Sequence, residues 1–207
     1  MRRKITIVFF ALILILSLTA VMAVPAAAVA AVIHDYHNTG DDTYTTLHTD
    51  YWRSQSFTAS SDYAATSIKL KIARQGNPGD ITVSIRNADI WGEPLGADLT
   101  SGTIDGNTIT DDMAGAWYSV NLLTPLHLDS GSKYAIVVRA VNGDTSNKVY
   151  WLGGGTYDQG WYGLSQNSGD SWTTFGHMDL MFEVWGISDS SDPTTDTTTA
   201  VVGGEVF

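Results

Sequence analysis

Apolar and polar positions alternate with a period of two along much of the chain. The clearest case is Ser67–Arg74 (SIKLKIAR), where Ile68, Leu70 and Ile72 share a face opposite Lys69 and Lys71. Asp80–Arg86 repeats the pattern through Ile81, Val83 and Ile85. Between the two lies Gln75-Gly76-Asn77-Pro78-Gly79, whose glycines and proline mark a tight connection and predict an antiparallel pair. Trp117–Leu122, Lys133–Val141, Lys148–Leu152 and Asp179–Trp185 are further predicted strands. No stretch past residue 31 joins a helical apolar period to capping residues, so an all-β domain is expected. Many short strands between Gly, Asp and Asn loops lead to an antiparallel β-sandwich or a barrel. The length favours a jelly-roll sandwich over an immunoglobulin-like one of roughly 100 residues. No internal repeat is visible, which argues against a propeller or a solenoid.

The two ends depart from this pattern. Met1-Arg2-Arg3-Lys4 is a basic start, Ile5–Leu18 is apolar except for Thr6 and Ser17, and Ala28-Val29-Ala30 offers a small-x-small cleavage site. Residues 1–30 therefore read as an export signal. An uncleaved anchor is the competing reading, but Pro25 and Ala26-Ala27-Ala28 break the apolar run where a peptidase needs extended backbone. From Ser188 the chain becomes a Ser/Thr/Asp-rich stretch without the apolar residues of a packed core. The expected organisation is a signal peptide (1–30), one β-sandwich domain (32–187) and a linker or stalk (188–207). Membrane contact is expected only through the signal peptide or through a C-terminal anchor following the stalk.

Charge and composition narrow the partners. Removal of Arg2, Arg3 and Lys4 with the signal leaves 8 of the 11 basic side chains against 22 acidic ones, a formal charge of −14. Such a surface repels nucleic acid and anionic lipid, so neither is expected as a partner. The acid is 19 Asp and 3 Glu, which suits turns and loops rather than helices. Cysteine is absent, so an exported domain must rely on its core or on a bound ion.

Ser165-Gln166-Asn167-Ser168-Gly169-Asp170-Ser171-Trp172 resembles the Asp-box, S-x-D-x-G-x-x-W, with Asn167 at the Asp position. The resemblance implies a β-hairpin opened by Ser165, in which Asn167 braces the turn, Gly169 takes the unusual backbone angles and Trp172 packs beneath. In sialidases the motif recurs around a propeller, away from the catalytic centre, so a single copy implies a hairpin and not an enzyme. The wider segment from about Tyr51 to Gly186 looks like the jelly-roll modules of exported prokaryotic surface proteins grouped as choice-of-anchor domains. That likeness rests on Gln55-Ser56-Phe57, Trp91-Gly92-Glu93-Pro94-Leu95-Gly96, Gly131-Ser132-Lys133-Tyr134-Ala135, the Asp-box-like hairpin and Asp179-Leu180-Met181-Phe182-Glu183. It implies a secreted or cell-surface module displayed on a Ser/Thr-rich stalk.

Seven Trp and nine Tyr include the adjacent pairs Tyr51-Trp52, Trp117-Tyr118, Tyr150-Trp151 and Trp161-Tyr162. Strand neighbours point to opposite faces, so one ring of each pair is expected in the core and the other outside. An outward ring is a platform for the C–H faces of a sugar. The densest candidate is WLGGGTYDQGW (151–161) with Tyr162, a glycine-rich loop offering Tyr157, Trp161 and Tyr162 beside Asp158 and Gln159. Its competitor is a satellite core in which the rings pack under their own loop. No cofactor is expected. Asp41-Asp42, Asp50, Asp111-Asp112 and Asp170 read first as solvated turn residues, with one structural calcium as the alternative. His34 and His37 fall on opposite faces of a strand, and His48, His127 and His177 stand apart, which disfavours zinc. Glycoside hydrolysis needs two placed carboxylates; Glu183 is one candidate, without a partner marked by spacing. No nucleophile elbow, H-E-x-x-H or phosphate loop is present. The expectation is a non-catalytic binding module for a polysaccharide or cell-surface glycan. A carbohydrate-active hydrolase and a structural surface-layer or appendage spacer are the alternatives.

Overall fold

The computed structural model describes residues 29–188. The expected export signal up to Ala28 and the expected stalk from Asp189 lie outside the described residues. Between them the chain forms twelve strands: β1 (Val32–His37), β2 (Thr43–Leu47), β3 (Trp52–Thr58), β4 (Tyr63–Gln75), β5 (Asp80–Ala88), β6 (Pro94–Asp105), β7 (Ala116–Leu128), β8 (Lys133–Arg139), β9 (Lys148–Gly153), β10 (Tyr162–Ser165), β11 (Thr173–Phe175) and β12 (Phe182–Ser188). The single helical element among the described residues is a 3-10 turn at Gly106–Thr108, whose Asn107 amide is capped by the Asp105 side chain.

Two antiparallel six-stranded sheets pack face to face, as alternation with one buried face requires. The first runs β1-β12-β4-β9-β2, with β7 on the other edge of β4, and the second runs β11-β10-β3-β8-β5-β6. Four antiparallel pairs are nested in sequence: β1 with β12, β3 with β8, β4 with β7, and β5 with β6. Successive pairs fall alternately in the first and second sheet. A ribbon of paired strands wrapped in this way is a jelly roll.

The predicted pairing of the two clearest strands is corrected by the structure. β4 pairs β12, β9 and β7, whereas β5 pairs β6 and β8. The Gly76 to Gly79 connection, with φ of 63° and 72° at its two glycines, carries the chain from one sheet to the other. Period two makes one face of each strand apolar, and the two faces meet across the sandwich. Ile68, Leu70 and Ile72 join Ile81, Val83 and Ile85 in one core with Phe57, Trp151 and Phe182, all fully buried. Each such side chain contributes roughly 1.5–3 kcal/mol by leaving water. A smaller cluster of Ala73, Tyr150, Leu152 and Met181 covers part of the outer face of the first sheet, with Trp117 packed on it.

Candidate functional site

The loop from Gly154 to Trp161 follows β9 and is fastened from below by a buried carboxylate. Asp179, 1% exposed, accepts the Tyr157 amide on Oδ2 (2.7 Å) and the Gln55 side-chain amide on Oδ1 (2.7 Å). Gln55, on the inward face of β3, accepts the Leu180 amide on its own oxygen (2.7 Å). Burial raises the Asp179 pKa, while the bonds from Tyr157 and Gln55 pull the other way. His37 donates its Nε2 proton to the Gly154 carbonyl (2.7 Å), which fixes the other end of the loop.

These anchors decide where each candidate residue of the loop goes. The Tyr157 ring turns inward, edge-on to Phe182 with centroids 5.4 Å apart, and burial drives its pKa up. Tyr162 is corrected from the candidate binding set to the core. It is 7% exposed, stacks on Phe175 and shares a hydrogen bond with Thr45 (3.0 Å). Asp158 and Gln159 are exposed. The Gln159 carbonyl accepts from Thr58 Oγ1 and from the Lys133 ammonium, each at 3.1 Å. Partial burial lowers the Lys133 pKa, opposed by the charge of Asp89.

Trp161 lies on the outer side of the second sheet. Its amide donates to Ser56 Oγ (2.8 Å) and its carbonyl accepts the Ser56 amide (2.9 Å), so the backbone is clamped to β3. The half-buried indole meets Trp91 in an edge-to-face contact with centroids 5.6 Å apart and planes at 73°. Trp91 belongs to the β5–β6 turn and is 57% exposed. The Asp89 carboxylate organises that turn by accepting the amides of Trp91 (2.9 Å) and Glu93 (2.8 Å). Gly92 has φ of 77° and lies directly against Ser56 Oγ, where a side chain would collide. Trp91 was not among the sequence candidates for the site, because a turn residue carries no alternation. The signal available was a tryptophan following Ile90 in a turn with no buried face to receive either; Ile90 is 76% exposed.

The other adjacent aromatic pairs divide as strand geometry dictates, with one exception. Trp151 and Tyr118 join the main core while Tyr150 and Trp117 lie on the outer face of the first sheet. Tyr51 and Trp52 both remain outside the core, at the start of β3.

At the β10–β11 hairpin, Ser165 Oγ receives the Gly169 amide (2.9 Å) and donates to Asn167 Oδ1 (2.8 Å). Asn167 Oδ1 also accepts the Ser171 amide (3.1 Å), and its amide nitrogen donates to Ser171 Oγ (2.9 Å). Ser168 and Gly169 have φ of 59° and 84°. Trp172 lies against Gly163 and Gly169, and its buried Nε1 has no partner.

The loop carboxylates named from the sequence are dispersed. Asp41 pairs with Lys71, Asp50 accepts from Ser168 Oγ (2.6 Å), and Asp112 accepts the Ala114 amide (3.0 Å). The residues that do come together are Asp62, His127 and Asp129, whose ligand atoms lie within 4.8 Å of one another at an exposed corner. The expectation that His127 stands apart is corrected: the β3–β4 and β7–β8 turns meet there, with the Ser130 amide bonded to Asp62 (2.7 Å). His34 stacks on Tyr63 (3.9 Å) rather than joining His37. Glu183 is held by Trp185 Nε1 (2.8 Å), Asn38 (3.3 Å) and Lys69 (3.8 Å) on the outer face of the first sheet. No protein-family model matches the chain, and no curated protein is similar to it.

Proposed function

We propose that the protein is an exported, non-catalytic carbohydrate-binding module in which Trp91 and Trp161 form the sugar platform. The observation that carries this reading is an exposed indole set edge-on to a half-buried one, outside any core, with both backbones pinned. A platform rigid before binding loses little entropy when a sugar stacks on it. Polar groups that fix the orientation of a sugar stand nearby: the exposed side chains of Asp158 and Gln159, and the Lys133 ammonium. The hydrolase alternative finds no support at Glu183, whose oxygens are already engaged by three neighbours. Attachment through a Ser/Thr-rich stalk is proposed from the likeness to choice-of-anchor modules.

A glycan-array screen of the exported protein tests the reading. Binding that falls at least tenfold in both Trp91→Ala and Trp161→Ala is expected. Binding unchanged in both variants removes this platform, and absence of any binding together with self-association points to an architectural spacer.

A further inference from the structure

Arg53 is the buried cation that the fold leaves without a counter-charge. It projects inward from β3, in register with Val138, which belongs to the core, and is 7% exposed. Its Nε donates to Thr45 Oγ1 (2.7 Å) and its Nη1 to the carbonyls of Trp52 (2.8 Å) and Ser165 (3.5 Å). Among the described residues no carboxylate lies within ion-pair distance, and Nη2 has no acceptor. Nor is Nη2 sealed off, since the enclosed unpartnered side-chain atoms are His34 Nε2, Ser54 Oγ and Trp172 Nε1. The other arginines among the described residues are treated differently. Arg86 and Arg139 share Asp98, and Arg74 donates to two carbonyls, one of them at an exposed site. A guanidinium taken out of water without an anion is costly, and with Nε and Nη1 already donating, a bound carboxylate oxygen is the natural acceptor for the free Nη2.

Beside Arg53 the sheet continues into an open cleft of about 380 Å³, lined by Leu164, Gln166, Asn167, Ser171, Thr173 and Phe175. Leu164 is the register partner of both Arg53 and Thr173, so the three stand in a row on the inward face of the sheet. Ser165, whose carbonyl Arg53 reaches, sits between the lining residues Leu164 and Gln166. The lining joins a phenyl face to amide and hydroxyl groups, the mixture that suits a polyhydroxylated ring.

We propose that this cleft binds a carboxylate-bearing sugar, with Arg53 as the carboxylate partner and the β10–β11 hairpin as the wall against the ring. The assignment rests on the carbohydrate-binding reading above, at a different place on the molecule. Tyr162 is a positioning residue here: its hydroxyl holds Thr45 Oγ1, which in turn receives Arg53 Nε.

The test is calorimetric titration of the exported protein with galacturonate trisaccharide and with the neutral galactose trisaccharide of the same linkage. Short oligomers are used because the formal net charge of −11 repels a long polyanion. The acidic trisaccharide is expected to bind at least tenfold more tightly than the neutral one. Thr173→Glu, at an exposed position on the cleft wall, should weaken acidic binding at least tenfold while Thr173→Gln does not. Arg53→Lys keeps the charge, loses the Nη2 donor and should weaken it similarly. Equal affinity for the two sugars, or acidic binding indifferent to Thr173→Glu, overturns the proposal even if Arg53→Lys fails to fold. Neutral-glycan binding that depends on Trp161, without an acidic preference, retains the platform and rejects the cleft. Acidic binding sensitive to Thr173→Glu and insensitive to Trp161→Ala retains the cleft and rejects the platform.

Discussion

Asp179→Asn tests whether the platform loop is held from inside the sandwich. The wild-type network has a fixed polarity: Leu180 N–H to Gln55 Oε1, Gln55 Nε2 to Asp179 Oδ1, and Tyr157 N–H to Asp179 Oδ2. Asparagine has one oxygen for two donors, so its own amide must face either Tyr157 N–H or the Gln55 amide. Rotating Gln55 by 180° only moves the conflict to Leu180. One buried donor is left unpaired whichever way the side chains turn, at a cost of about 1–3 kcal/mol. Removing a charge that burial disfavours offsets part of this, which places the net loss at about 2 kcal/mol. For a domain of this size that corresponds to a melting temperature lower by roughly 4–8 °C.

The pH dependence gives the sharper reading. Because burial raises the Asp179 pKa above its unfolded value near 3.8, the folded protein binds that proton more readily than the unfolded chain. The cost of the buried charge is therefore present at neutral pH and is relieved as pH falls through the folded pKa. Wild type should gain on Asp179→Asn in urea titrations stepped from pH 7 to pH 4. The Tyr157 amide should also exchange with solvent faster in the variant. A midpoint unchanged at pH 7, or a gap that narrows in acid, would refute the reasoning.

Asp98→Asn should behave with the opposite sign. Burial raises the Asp98 pKa, but hydrogen bonds from Arg139, Arg86 and Ser84 outweigh it and hold the group below 3.8. Its stabilisation, about 1–2 kcal/mol, is present above pH 4 and lost as pH falls through the depressed value, so the gap to wild type should close in acid. Gly169→Ala should cost about 2 kcal/mol in urea unfolding, because φ is 84° and a Cβ would come 2.8 Å from the Trp52 ring. Phe182→Ala removes a fully buried ring packed against Phe57 and Tyr157, and should cost about 3–5 kcal/mol. Mass measurement of the exported protein should give a mature chain lacking Met1–Ala30.

Alternation made the strands legible, because a half-buried strand writes its period into the sequence whatever it pairs with. Its partners are a different matter. Ile68, Leu70 and Ile72 say that β4 has a buried face, and Ile81, Val83 and Ile85 say the same of β5. Neither pattern tells a hairpin within one sheet from a crossing between two. For Trp161-Tyr162 the sequence required one ring inside, and the register decided which: Tyr162 lies opposite Gln55 on the inward face of β3. The anchors were the least legible part. Asp179 and Gln55 are separated by 124 residues and look like ordinary loop and strand polar residues until the fold removes water from both. Arg53 is hidden for the same reason, since an uncompensated charge is recognised only when the neighbours it lacks are known.

The two proposed surfaces stand on opposite faces of the second sheet, a consequence of Trp161 and Tyr162 being consecutive residues that enter one strand. Sugars at the two places therefore do not touch, and physical connection runs through β3, β10 and the end of β11, where Gly176 faces the Trp161 ring. Ser56 holds the Trp161 backbone from the outer face, whereas Arg53, Thr45 and Tyr162 are linked by hydrogen bonds on the inner face. Tyr162→Phe separates the two sides, because it deletes the bond to Thr45 and keeps the ring stacked on Phe175. With Thr45 freed to rotate, Arg53 loses its fixed orientation, and affinity for the acidic trisaccharide should fall several-fold. Affinity for a neutral glycan at Trp91 and Trp161 should stay within about twofold, since well-separated sites couple by no more than about 0.5 kcal/mol. A parallel loss of both affinities in calorimetric titrations would mean that the loop and the hairpin move as one unit, and that the sheet between them does not insulate the two surfaces.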